Sequence, residues 1–128
     1  MTNLSEQEIR KRIDELMKKD MLDDDVYPTE DALEIIKIWP FIDAKGWFAF
    51  IKSIWEYADW GWDEKYETSD VFPDKNVYRY YISTAGWSGN ESIIQAMEEN
   101  NIMWALNWEQ SRRGGHYIFE LMEFSNDK

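Results

Sequence analysis

The spacing of apolar residues changes at Val77, and this change constrains the fold more than any other feature of the sequence. Before it, apolar residues recur every three or four positions, which is typical of amphipathic helices. One such stripe comprises Trp47, Phe50, Ile51, Ile54 and Trp55. From Val77 onward the run is VYRYYIST, whose β-branched and aromatic residues predict a strand. The chain therefore predicts an α+β fold in which helices precede a small sheet.

About three helices are predicted in residues 1–60. Ser5 and Glu8 have the spacing of a capping box at the start of the first helix. Thr29 is placed to cap the second helix, and the third is expected after Asp43. The three aspartates at 23–25 lack the spaced ligands and glycine of a calcium loop, so they predict a solvated turn.

The stretch 59–76 contains many acidic residues and is predicted to be a long irregular connection. Trp60 and Trp62, near its start, could anchor this connection or face a partner.

Residues 77–124 predict a β-α-β-β unit, with a strand at 77–84 and a helix at 91–99. Two further runs, IMWALNWEQS and HYIFELMEF, are joined by RRGG, and paired glycines are typical of a tight hairpin turn. The short helical crossover favours a parallel arrangement of strands 77–84 and 102–111. We therefore expect residues 1–128 to form one domain.

Composition narrows the classes of function. The chain of 128 residues has a formal net charge of −12 and no cysteine. The absence of cysteine excludes disulfides, thiolate zinc sites and cysteine nucleophiles. It is also typical of a protein in the reducing cytoplasm. No apolar run is long enough for a membrane span or a signal peptide, so no membrane association is predicted. The negative charge predicts no direct binding to nucleic acid. Either it favours solubility only, or the acidic surface imitates the charge of a nucleic acid and binds the basic groove of a partner protein.

The loop STAGWSGNES, residues 83–92, combines small residues, two glycines and one indole between a strand and a helix. Ser88 and Glu91 have capping-box spacing, so this stretch could be a structural turn only. A helix N-terminus also presents N–H groups that bind phosphate or carboxylate. Under that second interpretation the candidate ligand-binding residues are Ser83, Thr84, Gly86, Trp87, Ser88, Gly89 and Asn90, with the Trp87 indole stacking on a ring.

The second candidate loop is SRRGGHY, residues 111–117. Arg112 and Arg113 could pair with surface acids, which contributes little stability, or could bind a planar anion in bidentate fashion. His116, the only histidine, could donate to the same anion or have a structural role. If strands 77–84 and 102–111 run parallel, the two loops meet at one edge of the sheet.

The pattern GWSGNE, then a helix, then SRRGGHYIFE resembles small uncharacterised proteins encoded by bacteriophages and prophages. The matching residues are 86–91 and 111–120, within a likeness that covers about residues 77–121. The resemblance implies a setting, the host-cell cytoplasm, and no particular mechanism. Small acidic phage proteins commonly sequester a host enzyme, a defence complex or a defence signalling nucleotide, which favours a counter-defence role.

Three classes of function follow from these features. The first is a non-enzymatic protein that sequesters a small anionic, nucleotide-like ligand between the two loops. The second is an acidic inhibitor that binds a host defence protein such as a nuclease or a CRISPR effector. The third is an enzyme that uses His116 with Ser88, Ser111 or Glu109, but there is no nucleophile motif and no metal-ligand spacing. We therefore predict no catalytic residue, cofactor or metal, and the protein could form a homo-oligomer.

Overall fold

The computed structural model describes residues 5–70 and 72–121, and it confirms the α+β fold with helices before strands. The N-terminal helices are α1 (Glu6–Leu16), α2 (Glu30–Ile38), α3 (Ala44–Ser53) and the short α4 (Ala58–Gly61), with a 3-10 turn at Phe41–Asp43. The predicted caps of the first three helices form. Ser5 and Glu8 make both capping-box hydrogen bonds, and Thr29 accepts from Ala32. Asp43 accepts from Gly46.

Four antiparallel strands form one sheet in the order β1-β2-β4-β3. Their bounds are β1 (Trp62–Thr68), β2 (Asn76–Ser83), β3 (Trp108–Arg112) and β4 (His116–Glu120), with α5 (Ser88–Glu99) and α6 (Asn101–Asn107) between β2 and β3. Strands β2 and β3 run in the same direction, as predicted. They are not neighbours, however, because β4 lies between them and pairs with both.

Two predicted segments are wrong. The stretch 59–76, expected to be irregular, contains strand β1, and residues 102–107, expected to begin the strand 102–111, lie in helix α6. The sequence pattern does not predict strand β1, because charged residues make up most of WDEKYET. The strand forms through backbone pairing with β2. In α6, Met103 is fully buried, and Trp104 packs edge-on against Phe119 with 5.3 Å between ring centroids. Burial against the sheet thus decides the conformation of this segment.

The helices cover one face of the sheet and leave the other face open. The core contains the predicted stripe of α3, and Phe48 stacks on Tyr80 of β2 with 4.2 Å between ring centroids. Side chains alternate along each strand, so Tyr80 and Phe119 join this core while Tyr81 and Ile118 point to the open face. Among residues 5–70 and 72–121, no helix is both long and apolar enough to cross a membrane.

Candidate functional site

The two candidate loops meet, as the sequence predicts, at one end of the sheet. In the register of the strands, His116 of β4 lies between Ser83 of β2 and Arg112 of β3. The Thr84 N–H donates to the carbonyl oxygen of Gly115 at 3.0 Å, which joins the end of β2 to the hairpin turn. The loops converge because β2 and β3 are both antiparallel to β4. The C-terminal ends of β2 and β3 therefore lie at the same end of the sheet.

Gly115 makes this close approach feasible. Its φ of +80° lies in the left-handed region that favours glycine. A Cβ atom at this position would overlap Oγ1 of the buried Thr84. The paired glycines of the hairpin therefore have two structural functions, the turn itself and the contact between the loops.

A cleft of about 470 Å³ opens beside this junction, mainly on the open face of the sheet. Three predicted ligand-binding residues line it: Ser83, Arg112 and His116. The remaining lining residues are Trp60, Gly61, Asp63, Tyr81, Ile82, Tyr117 and Ile118. Ile118 is only 5% exposed although it lies outside the main helix-packed core, so the cleft has an apolar centre.

The nitrogen donors and the carboxylate of the cleft lie at opposite sides. Arg112 and His116 belong to the hairpin side, and Asp63 belongs to β1, the strand at the other edge of the sheet. The Arg112 Nε donates to Gln110 Oε1 at 3.0 Å, a contact that uses one of the five guanidinium donors. The same hydrogen bond orients the guanidinium group beside the cleft.

The indole at the cleft is Trp60, not Trp87. Trp60 lies in α4, two residues before β1 begins, and it is 65% exposed, the highest value among the large exposed hydrophobic residues described. Tyr57 lies beside it with 5.8 Å between ring centroids. The sequence drew attention to Trp60 as a residue that could face a partner, but not to its position in the same cleft as Arg112 and His116.

Trp87 packs away from the cleft, against Tyr27 of the N-terminal half, with 4.6 Å between ring centroids. Ser88 shares a hydrogen bond of 2.7 Å with the Tyr27 hydroxyl. The predicted capping box at Ser88 is wrong, because α5 begins at Ser88, its N-cap residue is Trp87, and no side chain caps it. The Trp87 indole covers buried Gly89, where a Cβ would contact the ring.

The other predicted residues do not line the cleft either. Asn90 is buried, donates to the carbonyl oxygen of Glu56 at 2.9 Å and accepts from the Glu56 N–H at 3.0 Å. Gly86 is exposed in the turn with a φ of +73°. Arg113 is exposed in the hairpin turn, and Thr84 is buried against Gly115. The structure thus separates the candidate loops into residues that build the junction and residues that reach the cleft.

The side chains that the sequence offers as catalytic partners of His116 all have other contacts. Ser88 contacts Tyr27, Ser111 accepts from Trp108, and Glu109 pairs with Arg79. Each of these three side chains is therefore engaged by a residue other than His116.

A second polar cluster lies farther along the open face, around Arg79 of β2. The buried guanidinium contacts four carboxylates, those of Glu67, Asp70, Glu109 and Glu120. Burial opposes its charge, but the hydrogen bond and charge of Glu109 raise the pKa of Arg79 above its usual value. Oxygens of Asp70, Glu109 and Glu120 lie within 4.8 Å of one another, close enough to share a metal ion. Arg79 supplies the positive charge at this cluster, so we assign it a structural role.

Tyr81 connects the Arg79 cluster to the cleft. It lines the cleft, accepts a hydrogen bond from Arg79 Nη1 at 2.8 Å and donates to Glu67. Burial, together with the Glu67 hydrogen bond, raises the pKa of Tyr81 to about 12. The same hydrogen bond lowers the pKa of Glu67 below its ordinary value. Tyr81 therefore stays neutral, and its ring is held in place at one end of the cleft.

Comparison of the chain with protein-family models, curated proteins and solved structures finds no match. The function is therefore inferred from the residues of the cleft.

Proposed function

We propose that the protein binds a small, planar, anionic ligand of nucleotide type in the cleft on the open face of the sheet, without transforming it. One observation carries this proposal. Arg112, His116 and Ser83, which the sequence linked to anion binding, line a single cleft together with the exposed indole of Trp60. An aromatic surface that shares a cleft with a guanidinium group suits a flat ring that carries a phosphate.

The chemistry of the lining supports binding of such a ligand. A volume of about 470 Å³ lies within the range of small-molecule sites, roughly 300–1,000 Å³. Arg112 can bind a phosphate through two parallel N–H groups, and His116 can add a third donor. The Trp60 indole offers a rigid surface for stacking. Ser83 supplies a hydroxyl group between the aromatic and cationic sides.

The resemblance to phage-encoded proteins adds a biological setting to the proposal. In that setting the ligand would be a nucleotide that a host defence system uses, and the protein would act by lowering its free concentration. A binding protein suits this role because sequestration needs affinity and no catalytic group.

The test combines detection of bound ligand with matched variants. Mass spectrometry of small molecules released from the heat-denatured protein should detect a nucleotide, and a nucleotide panel should raise the melting temperature. Arg112→Gln should lose at least about tenfold in affinity, as expected for hydrogen bonds to a charged group. Arg113→Gln makes the same chemical change one residue away, outside the cleft, and should bind like the parent.

A second pair of variants tests the aromatic contact. Trp60→Leu should weaken binding, because it removes the exposed ring from the cleft. Trp87→Leu should lower stability and leave affinity unchanged, because Trp87 packs on Tyr27. If the parent carries no nucleotide and no member of the panel raises its melting temperature, the proposed function is wrong.

The acidic-inhibitor hypothesis has one observation in its favour, the gathering of four carboxylates around Arg79. Two of them, Glu109 and Glu120, have side chains only 12% and 11% exposed, so they face Arg79 more than solvent. This hypothesis predicts binding to a defence protein that weakens steeply with salt and is unaffected by Arg112→Gln. The Arg112 variant therefore separates the two functions.

A further inference from the structure

We infer that the ligand of the cleft is a guanine nucleotide whose base faces Asp63 and whose phosphate faces Arg112 and His116. This inference rests on the proposed function and specifies the ligand of the same site. Its basis is the opposite charge of the two sides of the cleft, a carboxylate on β1 and two nitrogen donors on the hairpin.

The strand register fixes the separation of these groups. On the open face Asp63 lies opposite Tyr81, which lies opposite Ile118. The next row contains Ser83, His116 and Arg112. Strands β1 and β3 are three spacings apart, about 14 Å between their backbones, so Asp63 and Arg112 lie on opposite sides of the cleft. A free phosphate can contact only one side of the cleft, whereas a nucleoside monophosphate can contact both.

Guanine is the common base whose edge matches a carboxylate. An ionised Asp63 only accepts hydrogen bonds, at two oxygens. Guanine presents a ring N–H beside an exocyclic amino group, so it can donate two parallel hydrogen bonds to those oxygens. In adenine and cytosine the amino group adjoins an acceptor nitrogen, and in uracil the ring N–H lies between two carbonyl groups. Each of these edges places an acceptor against the carboxylate.

The ion pair between Asp63 and Lys65 does not remove this selectivity. Lys65 Nζ lies 3.7 Å from Asp63 Oδ2, and the two side chains are 56% and 60% exposed. An exposed pair of this kind is weak. A carboxylate also has about four lone-pair positions, so Asp63 can accept from a base while Lys65 stays nearby. Lys65 also lies over the Tyr81 ring, 5.3 Å from its centroid, at the end of the cleft nearest the Arg79 cluster.

Isothermal titration calorimetry with four ligands tests the assignment. GMP is compared with IMP, which lacks only the 2-amino group, with AMP, and with guanosine, which lacks the phosphate. GMP should bind about tenfold more tightly than IMP, the expected effect of one hydrogen bond to a charged group. Asp63→Asn should abolish this preference, because an amide offers one acceptor and one donor edge. Arg112→Gln should weaken GMP but not guanosine.

Asp59→Asn is the matched control, because it removes the same charge from an exposed side chain of α4 outside the cleft. It should keep the preference for GMP over IMP. Equal binding of GMP, IMP and AMP, or a preference that survives Asp63→Asn, would overturn the guanine assignment and leave the proposed function intact. If Arg112→Gln weakens guanosine as much as GMP, the proposed orientation is wrong. If none of the four ligands binds and the protein carries no other nucleotide, both proposals fail.

Discussion

Replacement of Arg79 by methionine should destabilise the protein by about 3–5 kcal/mol, the cost of removing one partner of a buried ion pair. The Arg79 side chain is only 8% exposed, and its loss would leave Glu67, Asp70, Glu109 and Glu120 facing one another. Glu109 and Glu120 are largely buried and should account for most of the loss. Glu67 and Asp70 reach solvent, which screens their repulsion.

The corresponding change in melting temperature is large enough to measure directly. For 128 residues the entropy of unfolding is about 0.27 kcal/mol per kelvin, so the melting temperature should fall by about 11–19 °C. Circular dichroism during heating gives the change in melting temperature, and urea titration at neutral pH independently gives the change in the free energy of unfolding. Arg113→Met makes the same substitution at an exposed arginine and should change stability by less than about 0.5 kcal/mol.

A compensating variant distinguishes uncompensated charge from lost packing. Arg79→Met combined with Glu109→Gln and Glu120→Gln removes the buried negative charges and should recover much of the stability. If Arg79→Met alone costs no more than an exposed ion pair, below about 1 kcal/mol, the buried network does not stabilise the fold in the way we describe. If the triple variant is no more stable than the single variant, charge is not the cause of the loss.

Two further predictions concern the junction and the tyrosine beside it. Gly115→Ala should lower the free energy of unfolding in urea by about 1–3 kcal/mol. Gly86→Ala should cost less, because both residues have positive φ but only at Gly115 would a Cβ overlap Thr84. Equal losses for the two variants would refute the contact. The Tyr81 phenol ionises near pH 10 in the unfolded chain and at about 12 in the folded protein, so folding is favoured below pH 10 and loses this contribution as the pH rises from 10 to 12. Tyr81→Phe should show a smaller loss of stability over that range in urea titrations, and an unchanged pH dependence would contradict the raised pKa.

Local patterns in the sequence predicted helices α1, α2, α3 and α5, the hairpin and the meeting of the loops, because each depends on neighbouring residues or on strand direction. Ser5 and Glu8 cap α1 through contacts three residues apart. The paired glycines of RRGG adopt positive φ in the turn. The loops converge even though the expected neighbours were wrong, because β2 and β3 keep the same direction with β4 between them.

The remaining features depend on contacts between distant parts of the chain. Strand β1 pairs with β2 through backbone groups, so its charged residues gave no sign that Asp63 faces a cleft. Trp87 packs against Tyr27, sixty residues earlier in the chain. This contact gives a structural role to an indole that the sequence predicted to bind a ligand. Trp60 takes the position beside the cleft because α4 ends where β1 begins.

The two sides of the cleft belong to the outermost strands of the sheet, with Trp60 next to β1 and Arg112 on β3. Outer strands are where a sheet frays first, since each has only one hydrogen-bonded neighbour. A ligand that contacts both sides would oppose the local opening of both outer strands. Amide hydrogen exchange at both borders of the sheet would then slow together on saturation, although two inner strands separate them.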